Sequence, residues 1–99
     1  MALTKLNIRN LRSLAHHLNP LILIGEKGIT DNLLAQLDCV LEDHELIKIR
    51  IAADKAERHK ITEELCQTSR AELVQIIGRV SILYRKSQKK KKPEERLRF

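Results

Sequence analysis

The sequence predicts an α+β domain with elements in the order α-β-α-β-α-β-β and a four-stranded mixed sheet packed with helices. Three observations point there. Apolar residues recur at helical spacing in three segments, and short apolar or alternating runs mark four more. The last two of those runs are joined by only Gly78-Arg79, a hairpin link. Strands separated by helices must be parallel or crossed over, and a hairpin pair is antiparallel, so the sheet is mixed.

Residues 4–18 read as the first helix, with Leu11, Leu14, Ala15 and Leu18 on one side and Thr4 and Ile8 near them. Asn19-Pro20 ends it, because the residue before a proline is pushed out of the α region. Leu21 to Ile24 is a short strand, expected to be buried on both faces. Thr30 is placed to cap the second helix, with Ile29 able to staple onto Leu34. Leu33, Leu34, Leu37, Val40 and Leu41 form its core face, and Glu42-Asp43-His44-Glu45 closes it. From Ile47 on, Leu46–Ile51 alternates, sending Ile47, Ile49 and Ile51 inward and Lys48 and Arg50 to the other face. Asp54 with Glu57 opens a third helix over about 54–68, anchored by Ile61 and Leu65 and the least apolar of the three. Two strands follow, Glu72–Ile77 and Val80–Arg85. Gly as the first link residue favours a type II′ turn between them.

Ninety-nine residues make one domain, long enough to bury a modest core without metal or disulfide staples. The net charge of +6 is uneven. Residues 1–78 hold 10 Lys/Arg against 11 Asp/Glu, whereas residues 79–99 hold 9 against 2. The sequence therefore divides into a domain over 1–86 and a basic tail over 87–99, whose Lys89–Lys92 run is expected to be flexible. One Tyr, one Phe and no Trp argue against RNA readers that stack bases on surface aromatics. Cys39 and Cys66 form no C-x-x-C pair and read as reduced thiols in or near the core. No apolar run approaches the ~20 residues of a membrane span, and no leader pattern opens the chain, so a cytoplasmic location is expected.

No catalytic constellation assembles, so the chain is not expected to be an enzyme or to hold a cofactor, metal or small-molecule substrate. His16, His17, His44 and His59 are spaced as surface or capping residues rather than ligands. What remains is a set of phosphate-compatible features. Gly25-Glu26-Lys27-Gly28 joins a strand to a helix start, where unpaired N–H groups and a partial positive charge gather. A loop with glycine at each end lets another backbone come close. Glu26 is an acid in that loop, which leaves Lys27 as its one side chain able to pair with phosphate. Lys5, Arg9, Arg12 and His16 form a stripe roughly 60° wide on the first helix, away from its apolar face. Lys48, Arg50, Arg79 and Arg85 are weaker candidates. Each feature has an ordinary structural explanation, and their combination in one small domain is what favours phosphate contacts.

Several blocks together are more specific. Leu14-Ala15-His16-His17-Leu18-Asn19-Pro20, the Leu21–Ile24 strand and Gly25-x-x-Gly28 resemble the signature of the CRM domain in its bacterial single-domain form, the YhbY family. His44-Glu45-Leu46-Ile47-Lys48-Ile49, Val74-Gln75-Ile76-Ile77-Gly78 and Ile82-Leu83-Tyr84-Arg85 extend the resemblance over about residues 3–86. It implies a fold similar to the C-terminal domain of translation initiation factor three. It also implies binding to RNA, in particles that are precursors of the large ribosomal subunit, with the contact at Gly25, Glu26, Lys27 and Gly28 and the basic surface beside them. The expected species is a monomer. The competing expectation is a protein-interaction module that docks on a ribosomal protein or assembly factor without reading RNA.

Overall fold

The computed structural model describes residues 3–88 together with Leu97 and Phe99. Its elements are α1 (Lys5–Ala15), β1 (Ile22–Ile24), α2 (Asp31–His44), β2 (Leu46–Ile51), α3 (Lys55–Ser69), β3 (Glu72–Ile77) and β4 (Val80–Tyr84). The order in the sheet is β1-β2-β4-β3, with β1 parallel to β2 and the other two pairings antiparallel. This is the predicted α+β architecture. Among the described residues, no helix is long and apolar enough to cross a membrane.

Local chemistry sets the helix starts. Thr4 and Asn7 form a reciprocal capping box on α1, the Thr30 hydroxyl accepts from the Leu33 amide at 3.1 Å, and the Asp54 carboxylate accepts from the Glu57 amide at 2.9 Å. Helix α1 stops at Ala15, three residues before the predicted end. Leu14 and Leu18, expected inward, are each 39% exposed. Gly78 has φ +56° while Arg79 stays out of the positive region, the type II′ pattern rather than I′.

The sheet is covered on both faces, unequally. On one face, Ile22, Ile24, Ile47, Ile49, Ile51 and Leu83 pack under Leu37 and Leu41 of α2 and Ile61 and Leu65 of α3. Each fully buried aliphatic side chain there contributes about 1.5–3 kcal/mol, so this face carries most of the stability. A 2.7 Å hydrogen bond between the buried hydroxyls of Thr62 and Ser81 lies within it. On the other face α1 is the one helix among the described residues, and it packs over β2 and β3 through Leu11 and Ala15 against Leu46, Val74, Ile82 and Tyr84. Edge strand β1 is left uncovered there. Leu23 is consequently 65% exposed, a correction to the expectation that this strand is buried on both faces.

The chain after β4 departs from a simple flexible tail at the residues described. Ser87 is buried, and its amide donates to Glu45 Oε2 at 2.8 Å. The Gln88 amide donates to the Glu42 carboxylate, and the Leu97 amide donates to Glu45 Oε1 at 3.1 Å. Leu97 and Phe99 pack beside α1, with the Phe99 ring edge-on to Tyr84 at 4.9 Å. The Lys89–Lys92 run lies outside the described residues. Glu45 makes this attachment from φ +63°, an unfavourable backbone region for a non-glycine residue. Its own amide donates to Leu41 and its carbonyl accepts from Arg85, so each of its polar groups is used.

Candidate nucleic-acid interface

Strands β1 and β2 run parallel, so their C-terminal ends lie at the same end of the sheet. The Ile51 amide donates to the Arg79 carbonyl at 2.8 Å, which brings the β3–β4 hairpin there too. That end therefore gathers the Gly25–Gly28 loop, the start of α2 and Arg79.

The loop is a β-turn. The Gly28 amide donates to the Gly25 carbonyl at 3.0 Å, and Glu26 and Lys27 occupy its corners with exposed side chains. Neither corner residue has positive φ, which fits a type I turn with glycine at its last position. Gly28 has φ +63°, so its conformation favours glycine. Gly25 has no such constraint. A Cβ built on either glycine meets nothing within 4 Å, so both α-carbons face open space. Glu26, at the first corner of the turn, is exposed.

The first-helix stripe is a separate element of this surface. Lys5, Arg9, Arg12 and His16 are all exposed. The C-terminal end of α1 enters β1 at its start through Pro20, whereas the loop leaves β1 at its end. Three strand residues hold those two points about 10 Å apart. The His17–Asn19 connection instead shares a cavity with His44, Leu46 and Ile47 at the opposite end of the sheet.

The four weaker candidates divide. Arg50 is exposed on the α1 face and Lys48 is half-buried beside it, while Arg79 is exposed in the hairpin. Arg85 is occupied internally. Its guanidinium pairs with Asp38 at 2.7 Å and Glu42 at 3.2 Å and donates to the carbonyls of Ser69 and Asp38. A cation whose two terminal nitrogens are already engaged by two carboxylates and two carbonyls has little left for phosphate, so Arg85 is a structural residue. From the sequence, Glu42 and Glu45 do no more than close a helix. Their role as acceptors for Arg85, Ser87, Gln88 and Leu97 depends on contacts more than 40 residues away. Of the two thiols, Cys39 is exposed rather than in or near the core. Cys66 is half-buried, and desolvation with the nearby Glu63 charge pushes its pKa up to about 11.

The fold and the glycine turn define a small α+β module with helices on both sheet faces and one open, basic sheet end. Residues 3–85 match the CRS1 / YhbY (CRM) domain, and the chain belongs to that family. It is 43% identical over 93 residues to a probable RNA-binding protein of Pseudomonas aeruginosa, covering 93% of this chain and 89% of that protein. A probable RNA-binding protein of Bacillus subtilis is 39% identical over 87 residues, covering 87% of this chain and 91% of that one. Among solved structures, a hypothetical protein of Staphylococcus aureus matches with a TM-score of 0.78 and 40% identity, over 91% of this chain and 95% of that one.

Proposed function

We propose that this protein is a non-enzymatic RNA-binding factor, acting as a monomer in the cytoplasm on ribosomal RNA during assembly of the large ribosomal subunit. Its relatives in Pseudomonas, Haemophilus and Bacillus carry RNA-binding names, which supports the RNA class. The large-subunit assignment rests on the resemblance to the bacterial single-domain form of the family.

The observation that carries the reading is the Gly25–Gly28 turn. A Cβ on either glycine would meet open space, so the faces of the two α-carbons are uncrowded for an approaching phosphate. Helix α2 begins three residues later, and its first-turn amides favour negative charge nearby. Lys27 and Arg79 add cations at that end, and Lys5, Arg9 and Arg12 supply a second charged strip on α1. With almost no aromatic surface, recognition of structured RNA rests on backbone and shape.

Salt and mutation test it. Each phosphate neutralised on duplex RNA contributes about −0.9 to the log–log salt slope, taking B-DNA as the guide. Gly28→Asp is expected to weaken binding and, because Gly28 has φ +63°, to lower the melting temperature by a few degrees, whereas Arg9→Glu with Arg12→Glu is expected to weaken binding while the melting temperature changes little. Binding that survives both and disappears on changing Lys89–Lys92 to glutamine overturns the folded-surface reading. Deleting 87–99 is a poorer control, because Ser87, Leu97 and Phe99 are attached to the domain.

A further inference from the structure

The strand register builds one row across the whole sheet. Leu23 of β1 sits beside Arg50 of β2, Arg50 beside Val80 of β4, and Val80 beside Ile77 of β3. All four side chains point to the α1 face, because their sequence neighbours Ile22, Ile24, Ile49, Ile51 and Ser81 face α2 and α3. Three inter-strand gaps make the row about 14 Å long.

Leu23, Arg50 and Ile77 of this row lie where α1 leaves the face open, and Val80 between Arg50 and Ile77 is half-buried against the α1 cluster. Leu23 is 65% exposed and Ile77 55%, with an exposed Arg50 between them. One step back, the Leu21 amide donates to the Lys48 carbonyl, which places Leu21, 46% exposed, and Lys48 side by side. Three large aliphatic side chains exposed on one strip of so small a domain mark a contact surface. Its chemistry is apolar at both ends and cationic in the middle, and these six residues include no acid.

From this register and exposure we infer that the row binds an unpaired RNA segment next to the loop. The inference rests on the RNA-binding reading above and adds a second ligand geometry to it. Duplex RNA hides its bases, so exposed leucine and isoleucine do nothing for a helix held by its phosphates. Unpaired nucleotides offer apolar base faces together with negative charge, the complement of this strip. Where aromatics are absent, a guanidinium plane serves as a stacking platform. Arg50 occupies that place, flanked by Leu23 and Val80. Lys48 stands where the sugar–phosphate backbone of the same segment passes. The strip adjoins the end where Gly25–Gly28 leaves β1, so one RNA with a paired stem and an unpaired flank reaches both.

The test uses the full chain with two probes, a short oligouridylate and a perfect RNA duplex. Leu23→Ser with Ile77→Ser is expected to weaken oligouridylate binding ~10-fold and leave duplex affinity and melting temperature unchanged, since both side chains are already exposed. Arg50→Lys keeps the charge and removes the plane. It is expected to weaken oligouridylate binding several-fold at an unchanged salt slope. If both variants bind oligouridylate like the parent while Gly28→Asp still loses the duplex, this inference fails and the loop reading stands. If Gly28→Asp also binds like the parent, both fail. If the leucine–isoleucine variant binds both RNAs normally but no longer cosediments with nuclease-treated ribosomal precursors, the strip docks a protein and the inference is overturned.

Discussion

The two ends of the sheet carry similar residue types and use them in opposite ways. At the end where β4 finishes, Arg85 is enclosed by Asp38, Glu42 and the Ser69 carbonyl, and Glu45 accepts from the Ser87 and Leu97 amides. At the other end, Lys27, Arg50 and Arg79 are exposed, and no ion pair links them to another described residue. A cation surrounded by its own acids holds the chain together, and a cation without them is available to a ligand. Basic residues counted from sequence alone cannot be sorted in this way, because the sorting depends on which acids the fold brings near.

The largest expected difference is in stability. Glu45→Ala removes a buried acceptor of two backbone amides and should lower the unfolding free energy by about 3 kcal/mol in a urea melt. Arg50→Ala, at the open end, should stay within about 0.5 kcal/mol of the parent. Equal losses would break the contrast. Arg85→Gln is next, with an expected cost of about 2 kcal/mol, because Glu42 loses its cation, and with RNA affinity unchanged. Arg79→Gln should do the reverse, leaving the melt alone and making the salt slope for RNA shallower by about 0.9.

A smaller effect is expected at the loop corner. Glu26→Gln removes a negative charge beside the phosphate approach and should tighten RNA binding by about 2- to 5-fold at low salt, fading as salt rises. Unchanged affinity would show that the carboxylate is remote from the bound backbone. The smallest effect concerns the thiols. At pH 8 Cys39 should be alkylated readily while Cys66, with its pKa raised to about 11, lags. In the unfolded chain the Cys66 thiol ionises near its ordinary value of 9.0, and in the fold only near 11. Between those values the unfolded chain binds fewer protons, so stability should fall as pH rises through that window. A Cys66→Ser variant should lose that part of the slope.

Much of the fold was legible because its signals are local. Thr30 and Asp54 cap where their spacing to the next amides dictates, Gly78 turns the hairpin, and the Ile47–Ile51 alternation sets the face of β2. The misreadings came from long-range placement. An all-apolar run such as Leu21–Ile24 looks the same in an edge strand as in a central one, and only the position of α1 over β2 and β3 leaves Leu23 exposed. Leu18 lies beyond the helix end at Ala15, and Leu14, inside the helix, falls beside the Leu11–Ala15 line that meets the sheet. In the candidate site, the turn at Gly25–Gly28 followed from sequence, whereas the Leu23–Arg50–Val80–Ile77 row needed the strand order β1-β2-β4-β3. The contact of Leu97 and Phe99 with the domain was illegible behind a lysine-rich run that has no core pattern.

Which end of the sheet meets RNA separates a bound surface from a structural one. Ultraviolet crosslinking in cells, with the attached RNA sequenced and the crosslinked peptides identified, measures this directly. The prediction is crosslinks within residues 21–28 and at Arg50 and Arg79, on large-subunit ribosomal RNA. Crosslinks confined to α3 and residues 87–99, or RNA drawn mainly from messengers, would contradict it.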